Sequence, residues 1–264
     1  MKKTLIRFYK NLRNRPIRND LTIYEDDIFL VSYPRSGNTW VRFILGTLLS
    51  DEKITWETME KGIPDMYRNT DKELKDFKRP RIIKSHHSFD PRYNKVVYLV
   101  RDVRDVVLSY YNYHIKFNKI SDTYPLDRFI DKFMEGELDD FGSWSENVKS
   151  WISNKKEVEN GFMLFRYEDL KDDTFSEIRR MADFLGIDPT DDEVRDAIEW
   201  SSFSNMRKLE NEQSNSNLFN NSDKEVKFTN KGSYGYWKQE LNKEQVRLLT
   251  DKNKELLKDL GYQA

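Results

Sequence analysis

The chain has 264 residues, 37% hydrophobic and 14% aromatic, which is enough apolar material for a real core and too much for a disordered chain. Lysine plus arginine (45) nearly balances aspartate plus glutamate (46), so a net charge of −1 excludes a global field for nucleic acid or an anionic membrane. The absence of cysteine excludes disulfides, thiol nucleophiles and thiolate metal sites, and three histidines (His86, His87, His114) leave little for zinc.

Residues 1–25 begin basic, without the apolar core of a secretory signal, and read as an N-terminal arm. No Pro-, Gly- or Ser-rich linker divides residues 26–264, which are expected to form a single domain. No apolar run approaches membrane-spanning length, so a cytoplasmic protein without an integral membrane segment is expected. Asp27 to Tyr33 (DIFLVSY) is short, apolar and branched, the pattern of a buried strand. PRSGN then makes a turn, and Asn38 to Leu49 a largely buried helix. Further strands are expected at Arg81 to Lys84, Lys95 to Val100 and Gly161 to Tyr167. Helices are expected over Val103 to Tyr113, Lys171 to Leu185, Asp191 to Trp200 and Asn242 to Leu260, with a mobile loop over Asn211 to Lys227. The alternation predicts an α/β fold: a central parallel sheet flanked by helices, with its ligand site at the strand carboxyl ends.

Ser32 to Trp40 (SYPRSGNTW) is the most informative stretch. A glycine turn feeding a helix start exposes unpaired N–H groups at the positive end of the helix dipole. Arg35 adds fixed charge, and Ser36, Asn38 and Thr39 add side-chain donors around Gly37. Such a loop can cradle a phosphate or a phosphate–sulfate anhydride, or it can simply cap the helix through Ser36 or Asn38. A nucleotide triphosphatase would carry Gly-Lys-Ser/Thr and an acidic magnesium partner, and neither is evident.

Taken together, SYPRSGNTW, KSHH and RDVRDVVLSYY resemble the sulfotransferase family, specifically its cytosolic branch and bacterial relatives. The resemblance continues through FRYEDL, Ser201-Ser202-Phe203 with Met206, and FTNKGSYGYWK, in family order from about Ile28 to Lys238. It implies a nucleotide-kinase-like, P-loop-like fold. It also implies sulfuryl transfer from 3′-phosphoadenosine 5′-phosphosulfate (PAPS), with adenosine 3′,5′-bisphosphate (PAP) as product; the sequence offers no obvious metal cage, and no metal is expected. The implied nucleotide contacts are Arg35, Ser36, Gly37, Asn38, Thr39 and Trp40 at the first loop, and Arg101 and Ser109 at the 3′-phosphate. Tyr167 would reach the adenine, Ser201, Phe203 and Met206 would lie near the nucleotide, and Phe228, Asn230, Lys231 and Gly232 would close the site. The partner implied is a small-molecule or glycan acceptor, with no nucleic acid. The chain departs from the family at Arg35 (lysine), Asn38 and Ser201 (threonines) and Asn230 (arginine), and its dimer motif is not recognisable after Lys238.

The catalytic set implied is His86, Lys84, Arg35 and Ser109. In-line transfer through a loose transition state needs a base for the acceptor and cations for the leaving phosphate. An unperturbed imidazole titrates near neutral pH, and His86 sits two residues from Lys84, on the same strand face. His87 points the other way and reads as structural. Arg104 and Asp105 read as surface interactions at a helix start. Tyr110, Tyr111, Tyr113 and Phe117 read as core, with an acceptor-pocket wall as the alternative. A kinase and a nucleotide-binding protein without catalysis are the competing functions. The missing Gly-Lys-Thr argues against the first, and the Lys84–His86 pair against the second.

Overall fold

The computed structural model describes residues 20–216, 218–219, 221–229 and 232–263, so most of the expected arm lies outside the described residues. Four parallel strands, β1 (Ile28–Ser32), β2 (Ile82–Ser85), β3 (Lys95–Val100) and β4 (Phe162–Arg166), form one sheet in the order β2-β1-β3-β4. The register pairs Leu30 with Lys84 on one side and with Val97 on the other. The longer helices are α1 (Asn38–Leu49), α2 (Val103–Lys116), α3 (Leu126–Glu135), α4 (Trp144–Asn154), α5 (Tyr167–Asp172), α6 (Thr174–Leu185), α7 (Asp191–Trp200), α8 (Phe203–Glu212) and α9 (Lys243–Asp259).

The unbroken apolar run of β1 follows from cover on both faces. Alternate side chains divide between two cores. Phe29 and Val31 join Tyr98, Val100, Phe133 and Trp151, while Ile28 and Leu30 join Val41, Ile44, Leu99 and Phe165. Each such fully buried side chain contributes roughly 1.5–3 kcal/mol. A third cluster (Phe43, Trp56, Met206, Leu209, Phe219) borders the site. The strands and α1 sit where hydrophobic pattern and glycine punctuation put them.

The pattern was less exact elsewhere. The helix expected over Lys171 to Leu185 is two helices, because the Asp173 carboxylate accepts from Ser176 N at 3.1 Å and restarts the chain. Helix α2 continues three residues past Tyr113, to Lys116. Helices α3, α4 and α8 were not expected. Their cores are sparse (Phe129, Ile130 and Phe133 in α3), but α4 announces itself by a Ser143–Glu146 capping box. The first two residues of the expected loop from Asn211 belong to α8, and Phe219 within that loop is packed into the third cluster.

The order β2-β1-β3-β4 makes the chain leave β1 for one neighbour and return for the other. The carboxyl end of β1 is therefore the topological switch point, where open α/β sheets bind ligands.

Candidate active site

A cavity of about 390 Å³ opens at that switch point. Of the sequence-derived site residues that are described, all but Ser36 and Ser201 line it. Asn230 and Lys231 lie outside the described residues.

The loop after β1 is shaped by two residues in the left-handed region, Arg35 (φ 70°) and Gly37 (φ 98°). A Cβ on Gly37 would stand 2.6 Å from the Tyr167 ring, so only glycine lets that ring pack on the loop. Gly37 is itself the N-cap of α1 and no side chain caps it, which removes the helix-cap reading of Ser36 and Asn38. Asn38 turns back instead, donating to Leu30 O and Ser32 Oγ, both at 3.3 Å. Ser36 is buried under the loop, and its Oγ has no partner.

At the end of β2, His86 Nδ1 donates to Ser32 O at 2.6 Å. A carbonyl oxygen can only accept, so Nδ1 carries the proton and Nε2 keeps its lone pair. His86 N donates to Tyr67 Oη at 2.9 Å and its carbonyl accepts from Asn147 Nδ2 at 3.0 Å, which fixes the residue further. Burial first, and then the Lys84 charge, hold the imidazole well below its ordinary pKa, in the neutral form a base requires. Lys84 lines the same wall and pairs with Asp65, Nζ to Oδ2 2.9 Å.

At the opposite end Arg101 leaves β3. Its Nη2 donates to Ser233 O at 2.9 Å, and its guanidinium stacks 4.2 Å from the Tyr167 ring. Its Nε is buried and has no partner. Arg35 Nε donates to Ser109 Oγ at 3.1 Å, and the guanidinium lies 4.5 Å from the Phe228 ring and 5.2 Å from Tyr113. Burial lowers Arg35 to about 10, so it stays charged at neutral pH. Trp40 meets Tyr167 edge-on at 5.8 Å and donates through Nε1 to Ser201 O at 3.1 Å. That contact uses Ser201 through its backbone, away from the cavity. Tyr110, Tyr113 and Phe117 also line the cavity, and Tyr110 belongs to the core as well.

Sequence reasoning missed the residues that shape these walls. Asp105 is not a surface residue: it is 0% exposed and accepts from Gly235 N at 2.6 Å and Trp237 N at 3.1 Å. Arg104, also buried, pairs with Asp102 at 2.6 Å and stacks 4.0 Å from the Trp237 ring. Glu210 accepts from Phe228 N at 2.6 Å and Thr229 N at 2.9 Å. Two buried carboxylates thus tie both ends of the segment carrying Phe228 and Gly232, and a Cβ on Gly232 would collide with the Phe203 ring. Their partners are backbone amides about 20 and 130 residues away, and backbone amides leave no mark in sequence. Asp65 was invisible for the same reason of distance. A capping-box glutamate or a strand-end lysine, by contrast, has a local signature.

The fit of an anionic nucleotide can be tested on the cavity itself. Two of the residues that line it carry buried donors without partners, Arg101 Nε and Thr229 Oγ1. Buried donors left unmade cost about 1–3 kcal/mol each, an arrangement that suits a ligand rich in acceptors. Among the described residues no group of three or more His, Asp or Glu is arranged to hold a metal ion, and no helix is long and apolar enough to cross a membrane.

Comparison with known proteins agrees with this geometry. Sulfotransferase 1E1 of Rattus norvegicus is 34% identical over 69% of this chain and 66% of its own length, just under two thirds. Sulfotransferase 1E1 of Bos taurus is 32% identical over 81% of this chain and 77% of its own. Among solved structures, mouse sulfotransferase SULT7A1 complexed with PAP superposes with a TM-score of 0.73 at 26% identity, covering 92% of this chain and 89% of that one. The sulfotransferase domain family model matches residues 25–261. With nearly the whole chain matched in sequence and in fold, this protein belongs to the sulfotransferase family.

Proposed function

We propose that this chain transfers a sulfuryl group from PAPS to a hydroxyl or amine of a small-molecule or glycan acceptor, with His86 as the general base. The observation that carries the reading is the tautomer of His86: Nδ1–H is committed to Ser32 O at 2.6 Å, which reserves Nε2 for the acceptor's proton. The donor, when bound, supplies an activated sulfuryl group whose bond to the 5′-phosphate oxygen breaks. Lys84 and Arg35 hold positive charge on the cavity wall, where negative charge develops on that oxygen. Arg101, with a free Nε, and Ser109, bridged to Arg35, would bind the 3′-phosphate. Tyr167, Trp40, Phe203, Met206, Phe228 and Gly232 form aromatic and apolar walls suited to an adenine. Asn38 contributes through its backbone, since its amide is spent on β1. The complex in which the mouse relative was solved supports PAP as the nucleotide product.

We extend the reading to a single sulfotransferase domain over residues 26–264 acting in the cytoplasm, with charge neutralised by side chains and not by a metal. A thermal-shift panel tests the nucleotide. PAP at 100 times its dissociation constant should stabilise the protein by about 2.7 kcal/mol, and ATP with magnesium should do less. Stabilisation by magnesium–ATP alone would sink the reading. A screen of hydroxyl and amine acceptors with labelled donor then identifies the second substrate. The same turnover should survive a chelator unchanged.

A further inference from the structure

Lys84 does not stand alone in the wall of the cavity. The segment around Asp65 runs beside β2 as a short parallel extension, with Lys84 N donating to Pro64 O at 2.9 Å and Met66 N to Lys84 O at 3.2 Å. That register sets Asp65 directly across from Lys84 and brings Oδ2 to 2.9 Å from Nζ, with both side chains 9% exposed. Both residues line the cavity that holds His86. The aspartate is itself fixed. Tyr67 N donates to its Oδ1 at 2.9 Å, its own N donates to Glu60 Oε2 at 2.7 Å, and Asn69 Nδ2 donates to its carbonyl at 2.9 Å. Glu60 is in turn paired with Arg42 at 3.1 Å.

We propose that Asp65 is a positioning residue for the transfer step, keeping the Lys84 ammonium charged and fixed at the cavity wall beside His86. The proposal rests on the sulfuryl-transfer reading. Five groups surround the ammonium: Asp65, Glu60, Arg42, the Tyr67 ring at 4.9 Å, and His86. Burial drives a lysine toward its neutral form, and the Arg42 charge pushes the same way. Asp65 is the nearest opposing charge and donates nothing itself. Burial pushes its own carboxyl up, but Lys84 and Arg42 override this and hold it ionised, at about 2. A neutral Lys84 would offer no charge to the leaving oxygen, and an untethered one would lose its place. The link is a salt bridge across 19 residues of sequence, between a strand end and a loop.

The test reads the lysine directly. In the full chain labelled with ¹³C at lysine Cε, the Lys84 resonance is assigned by its loss in Lys84→Met and titrated in wild type, Asp65→Asn and Asp65→Glu. Removing one opposite charge at contact distance shifts a pKa by roughly 1–3 units. Lys84 should therefore titrate at least about one unit lower in Asp65→Asn and close to wild type in Asp65→Glu. With PAPS as donor and 2-naphthol as probe acceptor, kcat of Asp65→Asn at pH 8 should fall about tenfold or more, because the untethered ammonium is misplaced. The alkaline limb of its profile should move down, because the lysine loses its proton earlier, while donor KM stays within about threefold. Unchanged Lys84 titration in Asp65→Asn overturns the proposal, and so does faster turnover. If Asp65→Asn does not fold, Asp65→Glu decides: kcat should drop although the lysine stays charged, because the longer side chain displaces it, and wild-type kcat overturns the positioning role. Failure of wild type to bind PAP would instead sink the sulfotransferase reading and leave the Lys84 titration interpretable.

Discussion

The two ends of the cavity carry the same kinds of charged side chain in opposite states of readiness. At the His86 end Lys84 is already paired with Asp65, and His86 is locked by Ser32 O and Tyr67 Oη. At the Arg101 end, Arg101 Nε and Thr229 Oγ1 are buried without partners. Under the proposed sulfuryl transfer, the difference follows from what each end must do. A base and a cation that act on developing charge gain from being fixed beforehand, because no reorganisation is then needed during reaction. Groups that bind an anion gain from being unsatisfied without it, because the ligand then relieves a standing desolvation cost. Changes at the first end should act on rate, and changes at the second on affinity.

The largest separation should come from His86→Ala, which should lower turnover by about 10²–10⁴ and leave PAP affinity within a factor of about two. Near wild-type turnover at saturating donor would remove His86 as the base. The mirror image is Arg101→Ala. A buried hydrogen bond to a charged group contributes about 1.5–3 kcal/mol, so PAP affinity should fall roughly ten- to a hundredfold or slightly more. The loss for 5′-AMP, which lacks the 3′-phosphate, should be much smaller. Calorimetry on both nucleotides measures this, and equal weakening would make Arg101 a structural residue.

Smaller effects should sharpen the comparison. Glu210→Gln removes the carboxylate that accepts from Phe228 N and Thr229 N, and should loosen the backbone that carries Phe228. We expect PAP to dissociate several-fold faster in stopped-flow, with a roughly unchanged association rate. A slower association rate alone would show that the carboxylate shapes entry, not retention. The smallest expected change is one of pH. Burial and Lys84 hold His86 well below its ordinary 6.5, so the neutral form persists as pH falls through that value. The rate should therefore hold near its plateau at pH 6, and a midpoint at 6.5 in the kcat profile would show that the imidazole is not shielded.

Much of the molecule was legible because its signals are local. The strands β1 and β3 are continuous apolar runs, and α1 begins where Gly37 punctuates the pattern. Lys84 and His86 were placed on one wall because side chains alternate along a strand. The same local logic failed for Asn38, which looks like a free donor in sequence but folds back to Leu30 O. It failed again for Asp105, which looks like a helix-start charge but is buried under residues from the far end of the chain.

The sequence by itself determined the α/β class, the glycine loop at a helix start and the residue types able to hold an anion. It could do so because hydrophobic period, turn chemistry and motif spacing are properties of neighbouring residues. Only the tertiary structure decided which of those groups are free and which are spent. Whether Asn38 serves ligand or strand, whether Lys84 has a counter-charge, and what holds Phe228 over Arg35 depend on contacts between residues 6, 19 and 193 positions apart. Those contacts are set by the order in which the strands pair and the helices pack, and by backbone amides that every residue carries alike.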